Sequence, residues 1–172
     1  MLNSLEILRA LRGHSWTRAY FLGVFPSDQL PEKIVRPSCL VVNTDPSNLP
    51  GAHWLAIFID KDGVIDYFDS YGLDPQVKDI KKWLELHGTK SNVNDSVLQS
   101  YMSAACGQHC IYFLILRCKG FPMHTITNML SDSPFINDSF VTAYVNKNCN
   151  LNTESFDENV LVEQLCTVFG VK

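Results

Sequence analysis

With 172 residues, 46% of them hydrophobic and 19% charged, the chain has the length and composition of one globular domain that buries a core without metal or disulfide staples. A formal charge of −4 argues against a wide phosphate-neutralising face, and no apolar run approaches the roughly eighteen residues of a bilayer span. These features predict a soluble, monomeric, single-domain protein over residues 1–172.

Met1 to Leu11 lacks the basic start, apolar run and small-residue cleavage site of a leader, which predicts a protein that is not secreted. Asn3-Ser4-Leu5-Glu6 reads instead as a helix start, with Asn3 or Ser4 capping free amides, Glu6 reaching back, and Leu5, Leu8 and Leu11 following at helical spacing up to Gly13. Pro26, Pro31 and Pro37 then break up a stretch with no lasting regular structure before the β-prone run Cys39 to Asn43. After a loop from Asp45 to Gly51, the runs His53 to Ile59 and Val64 to Phe68 flank Asp60-Lys61-Asp62-Gly63, predicting an antiparallel hairpin. A surface helix is expected between Val77 and Gly88, then a polar stretch from Thr89 to Asp95 and a short strand at Val97-Leu98-Gln99. From Cys106 to Arg117 the chain is apolar on nearly every face, as a buried central helix is. Further helices follow, the last containing Val160, Leu161, Leu165 and Phe169.

The six cysteines, at 39, 106, 110, 118, 149 and 166, are spread too widely for a disulfide scaffold, and reduced thiols are expected. Cys106, Cys110 and Cys118 share one helical segment, unlike the paired turn ligands of structural zinc, so no metal is expected. Cys106 opens its helix behind Ser103-Ala104-Ala105, and a helix N-terminus with a nearby imidazolium favours the nucleophilic thiolate. Gly107 leaves space beside it. Against this stands the plain reading of a buried core cysteine. His53 precedes a strongly apolar strand, where a base is held rigidly yet faces solvent. His109 lies on the same helix as Cys106 and is poorly placed as its base, while His14, His87 and His124 fall in turns or helix ends without a matching acid. An acid near the end of the second hairpin strand can fix the tautomer of His53; Asp66 and Asp69 both qualify, and Asp69, at the strand end, is favoured over an Asp66 that faces solvent. An amide in the same cleft can donate to a tetrahedral oxyanion together with the Cys106 backbone amide, a part Gln99 fits. Trp54 either stacks on the imidazolium or packs in the core.

The ordered set His53-Trp54, Phe68-Asp69-Ser70-Tyr71-Gly72, Gln99 and Ser103-Ala104-Ala105-Cys106-Gly107 resembles the adenovirus protease family, adenain, over roughly residues 1 to 130, as do Tyr20-Phe21-Leu22-Gly23 and Val41-Val42-Asn43-Thr44. The resemblance implies an α+β, papain-like cysteine protease fold, a small mixed or antiparallel sheet flanked by helices with a central helix starting at Cys106. It also implies a cysteine endopeptidase with Cys106 as nucleophile, His53 as base, Asp69 as orienting acid and Gln99 in the oxyanion hole. Trp54, Gly51, Gly107 and Ser103 are then supporting or substrate-binding residues. Six residues separate Gln99 from Cys106, as in adenain, where SUMO-specific proteases usually have five. Asp69 replaces the usual glutamate of the adenovirus enzymes, and aspartate serves in the SUMO-protease branch.

The implied substrates are viral or mobile-element precursor proteins cut after Gly-Gly or Gly-X-Gly-like sites, in the virion or infected-cell nucleus. The family's activating peptide is captured through a cysteine between the acid and the glutamine; none lies between Asp69 and Gln99, so an activator would bind without that disulfide. A DNA cofactor fits poorly with the acidic net charge, and no cofactor is expected. The alternatives are a protease acting on SUMO or ubiquitin-like modifiers, and a catalytically silent peptide-binding module.

Overall fold

The computed structural model describes residues 1–149, so the expected helix around Val160 to Phe169 and Cys166 lie outside the described residues. Five strands, β1 (Phe21–Phe25), β2 (Ser38–Asn43), β3 (Trp54–Ile59), β4 (Val64–Phe68) and β5 (Lys90–Val93), form one sheet in the order β1-β2-β3-β4-β5. The central pairs β2/β3 and β3/β4 are antiparallel, whereas both edge strands pair in parallel. The sheet is mixed, and the architecture is α+β, in agreement with the class that the resemblance implies.

Alternation along the strands divides the core in two. Cys39, Val41, Trp54, Ala56, Phe58 and Phe68 face α1 (Ser4–Gly13), α3 (Cys106–Cys118) and α5 (Pro134–Cys149). Leu40, Val42, Leu55, Ile57, Ile59, Ile65 and Tyr67 face α2 (Lys78–His87) through Ile80, Trp83 and Leu84. With both faces covered, β2 and β3 are buried throughout, which explains their unbroken apolar sequences. A short α4 (Met123–Asn128) closes the helical layer.

The first helix begins as its capping box dictates: Asn3 Oδ1 accepts from the amides of Leu5 and Glu6, and the Glu6 carboxylate accepts from Asn3 N at 2.7 Å. Its buried face is Ile7, Ala10 and Leu11, not the Leu5-Leu8-Leu11 stripe the spacing suggests; Leu5 is exposed. The hairpin β3/β4 and helices α2 and α3 stand as predicted, with Gly63 in the turn at φ 85°.

Two strands depart from expectation. Phe21–Phe25 is a strand despite its glycine, because a bulge between Phe21 and Gly23 absorbs the irregularity beside β2. Lys90–Val93 is an edge strand within the polar stretch, its polarity suiting an edge exposed to water, and Asn92 Nδ2 donates to Asp66 Oδ1 on the neighbouring strand at 2.8 Å. Val97-Leu98-Gln99 is not a strand. The amides of Leu98 and Gln99 both donate to the single carbonyl of Ser70, at 2.9 and 3.0 Å, and no ladder forms.

That convergence also fixes the loop after β4. Gly72 sits at φ 68°, and a Cβ there would lie 2.8 Å from the backbone of Ser96. Gly72→Ala combines a left-handed conformation with a backbone clash, and we expect it to cost about 2 kcal/mol or more, read as a lowered urea midpoint at unchanged m-value.

Candidate active site

Cys106 is the first residue of α3 and lies nearly buried behind the loop residue Ala105. Gly107 does not serve mainly to clear room for its sulfur: a Cβ there would meet Ile7 Cδ1 and Leu2 Cβ at 3.2 Å and Trp54 Cδ1 at 3.5 Å. The glycine lets the amino-terminal segment and β3 close against the start of α3. Trp54 belongs to this packing too, with its indole N–H donating to the Leu2 carbonyl at 2.9 Å.

His53 stands just ahead of β3 and is brought to Cys106 because β3 packs against α3. The loop leading to it is closed by Asn43, whose Oδ1 accepts from Asp45 N at 2.9 Å and Ala52 N at 3.2 Å. Gly51 takes φ 99° in that loop, where a Cβ would lie 2.8 Å from Asn43 Nδ2. Its role is to let the backbone pass Asn43 on the way to His53.

Asp69 immediately follows β4 and reaches across the hairpin, accepting from His53 Nε2 at 2.8 Å and from Tyr71 N at 2.9 Å on the same Oδ1. Its backbone is held on both sides by Asn94: Asp69 N donates to Asn94 Oδ1 at 2.9 Å, and Asn94 Nδ2 donates to the Asp69 carbonyl at 2.7 Å. Asp66, the competing acid, does not face solvent. It is buried, and its Oδ2 accepts from Arg117 Nε at 2.6 Å, the guanidinium also lying over the Phe58 ring.

With Nε2 committed to Asp69, His53 has Nδ1 left for Cys106, which lies close enough to influence the charge of the ring. Burial pulls the imidazole toward neutrality, but the hydrogen bonds and negative charges of Asp69 and Cys106 outweigh it and push the pKa from 6.5 up to about 9. The aromatic ring stacked on His53 is Tyr71, at 4.8 Å between centroids, and Tyr101 stacks on Tyr71 in turn at 5.2 Å. A cation–π contact of this kind favours imidazolium over imidazole.

Gln99 is almost fully buried. Its Oε1 accepts from Ser70 Oγ at 2.6 Å, and its Nε2 donates to the Ser103 carbonyl at 3.1 Å, with Ser103 Oγ at 3.3 Å. The Ser103 carbonyl can only accept, so the amide orientation is determined, and its N–H groups lie on the side of the segment that leads into Cys106. Ser103 thus supports Gln99. A groove of about 260 Å³ is lined by residues next to His53 in sequence, Gly51 and Trp54, with Pro46 and Leu49, and one of about 320 Å³ by residues next to Cys106, Ala105 and Gln108, with Ser103 and Asp138.

The structure therefore brings His53, Asp69 and Cys106 together and ties Gln99 to the same loops. Sequence reasoning gave no individual role to Ser70, Tyr71, Asn94 or Asp138. Ser70 and Tyr71 stood in a quoted motif, whereas Asn94 sits in a polar stretch with no periodic signal.

Comparison with known protein families finds no match. Among curated proteins, the chain is 30% identical over 105 residues to a cysteine protease of African swine fever virus, Tick/Malawi isolate, covering 54% of this chain and 38% of that protein. It is 30% identical over 115 residues to a protein of Acanthamoeba polyphaga mimivirus named for thiol protease activity, covering 60% and 38%. A Warthog/Namibia isolate protein named a SUMO-1 cysteine protease matches at 30% over 117 residues, covering 58% and 42%. The chain thus spans about two fifths of the length of the curated relatives it matches. In fold it resembles the crystal structure of the African swine fever virus protease, with a TM-score of 0.57 and 20% identity over 83% of this chain and 66% of that one. These relatives are viral proteins named as cysteine or thiol proteases, and the chain shares the α+β fold of the African swine fever virus protease.

Because folded His53 holds its proton more tightly than unfolded histidine, its contribution to stability is complete below pH 6.5 and is lost as pH rises through about 9. We expect the unfolding free energy of wild type to fall by up to about 3 kcal/mol across that window relative to His53→Gln, measured by urea titration at fixed pH steps.

Proposed function

We propose that the chain is a cysteine endopeptidase in which Cys106 is the nucleophile, His53 the base, Asp69 the orienting acid and Gln99 an oxyanion donor. The observation that carries this reading is the His53 ring, bonded to Asp69 at 2.8 Å through Nε2 and partnered by Cys106. His53 takes the thiol proton, and the thiolate attacks the peptide carbonyl carbon. The resulting oxyanion accepts from the Cys106 backbone amide and from Gln99 Nε2, which gives up its longer contact to Ser103 Oγ. As the C–N bond breaks, His53 protonates the departing amine. Water then attacks the thioester with His53 as base, and Cys106 leaves as thiolate, while Asp69 keeps the ring oriented without moving a proton.

The substrates in this reading are viral precursor proteins cut after glycine-containing sites. The order of motifs, which resembles adenain, and the viral relatives support it. One relative's name, SUMO-1 cysteine protease, favours a second substrate class, a modifier with a diglycine tail. The glycine requirement is common to both.

With a fluorogenic peptide ending Leu-Xaa-Gly-Gly, we expect turnover by wild type, none by Cys106→Ala, and a loss of roughly 10²–10³ in kcat for Gln99→Ala. Faster cleavage of a diglycine-tailed modifier than of the peptide moves the substrate to the second class. Full activity in Cys106→Ala removes the nucleophile assignment. A wild type inert to both substrates with an unreactive Cys106 supports the silent-module alternative.

A further inference from the structure

A second histidine–aspartate pair lies behind the candidate site and takes no part in the reaction above. His109, one turn beyond Cys106 on α3, is fully buried, and its Nε2 donates to Asp138 Oδ1 at 2.9 Å. Asp138, on the first turns of α5, uses its other oxygen to accept from Ser100 N at 3.1 Å. The neighbouring Asn137 Nδ2 donates to the Leu98 carbonyl at 3.1 Å. The peptide units on either side of Gln99 are therefore held from α5, while the Gln99 amide itself is held by Ser70 O.

We propose that Asp138 is a positioning residue for Gln99: by bridging His109 of the nucleophile helix and the amide of Ser100, its carboxylate sets where the oxyanion donor stands relative to Cys106. This proposal rests on the endopeptidase reading. Three rigid parts meet at this carboxylate: α3, which carries Cys106; segment 98–100, which carries Gln99; and α5, which backs both. Each contact is short, and both oxygens are used on different elements. A displacement of about 1 Å between an oxyanion donor and its nucleophile costs on the order of 10²-fold in rate, so a bridge of this kind governs turnover without touching substrate.

The unused nitrogen of His109 makes the idea testable. His109 Nδ1 is buried without a hydrogen-bond partner among the described residues. Burial, the dominant influence, disfavours a charged ring and outweighs the pull of Asp138. The ring is then neutral with its proton on Nε2, and it can move that proton to Nδ1 if the partner changes. In Asp138→Asn the side-chain oxygen can keep Ser100 N while its NH₂ donates to a His109 Nε2 that has become an acceptor. Asp138→Ala leaves both the Ser100 amide and His109 Nε2 without a partner.

The test compares peptide turnover with alkylation of Cys106 by iodoacetamide, a displacement that forms no oxyanion, followed by mass spectrometry at Cys106. For Asp138→Ala we expect kcat to fall roughly 10- to 100-fold with KM within about threefold, and Cys106 alkylation within about twofold of wild type. For Asp138→Asn we expect kcat within about fivefold of wild type and the His109 proton on Nδ1 in ¹⁵N NMR spectra. Unchanged kcat in folded Asp138→Ala overturns the proposal, as does a parallel loss of turnover and alkylation, which marks a general structural defect. If Asp138→Ala does not fold, Asp138→Asn decides: reduced kcat despite the shifted proton, or full kcat with the proton still on Nε2, each overturns it. Absence of turnover in wild type overturns the endopeptidase reading itself, an outcome distinct from a wild type that is active and indifferent to Asp138.

Discussion

The hydrogen bond between Asp69 and His53 is the constraint on which the rest of the site depends. A nearly buried carboxylate is costly unless its oxygens are satisfied, and Asp69 Oδ1 takes two donors, the His53 ring and the Tyr71 amide. The backbone of Asp69 is clamped by Asn94, which fixes the point from which the carboxylate reaches His53. This fixes which ring nitrogen of His53 is occupied and leaves the other for Cys106. Shielding by Tyr71, the anchoring of segment 98–99 to Ser70 and the orientation of the Gln99 amide all belong to the loop that begins at Asp69.

The fold supplies that arrangement through ordinary packing. The antiparallel β3/β4 register pairs Ala56 with Phe68, and its continuation past both strands sets Tyr71 across from His53 and Asp69 two residues short of it, within reach of the ring. The face of β3 bearing Trp54, Ala56 and Phe58 packs on α3, so the start of that helix meets the start of the strand. Gly107 permits the close approach, with Leu2, Ile7 and Trp54 filling the space where its side chain would be. The glycine beside Cys106 is thus explained by backbone proximity as much as by chemistry.

Much of this was legible in the sequence because it follows from strong local patterns. The capping box at Asn3, the apolar runs of β2 and β3, the Gly63 turn and the largely apolar α3 each carry a period, a run or a turn signal tied to one structure. What escaped depends on distant partners. The polar edge strand Lys90–Val93 has no apolar face to announce it, and Phe21–Phe25 is interrupted by a bulge. Asp66 reads as water-facing from the alternation of its strand; its cation, Arg117, comes from the far end of α3. Asn94, Tyr71 and Asp138 acquire their roles only when loops separated in sequence converge, and Leu98-Gln99 resembles a strand locally while its amides serve one carbonyl.

In the proposed mechanism Asp69 and Cys106 together favour the imidazolium form of His53, the form the ring has once it has taken the Cys106 proton, and the protonation state of that one ring is the measurement to make. ¹⁵N NMR titration of His53 in wild type and in Cys106→Ala separates the two contributions. We expect a charged ring at neutral pH that titrates at about 9 in wild type, with the transition moving downward when Cys106 is removed. A ring that is neutral at pH 7, titrating at or below 6.5, or a transition indifferent to Cys106, would contradict this expectation.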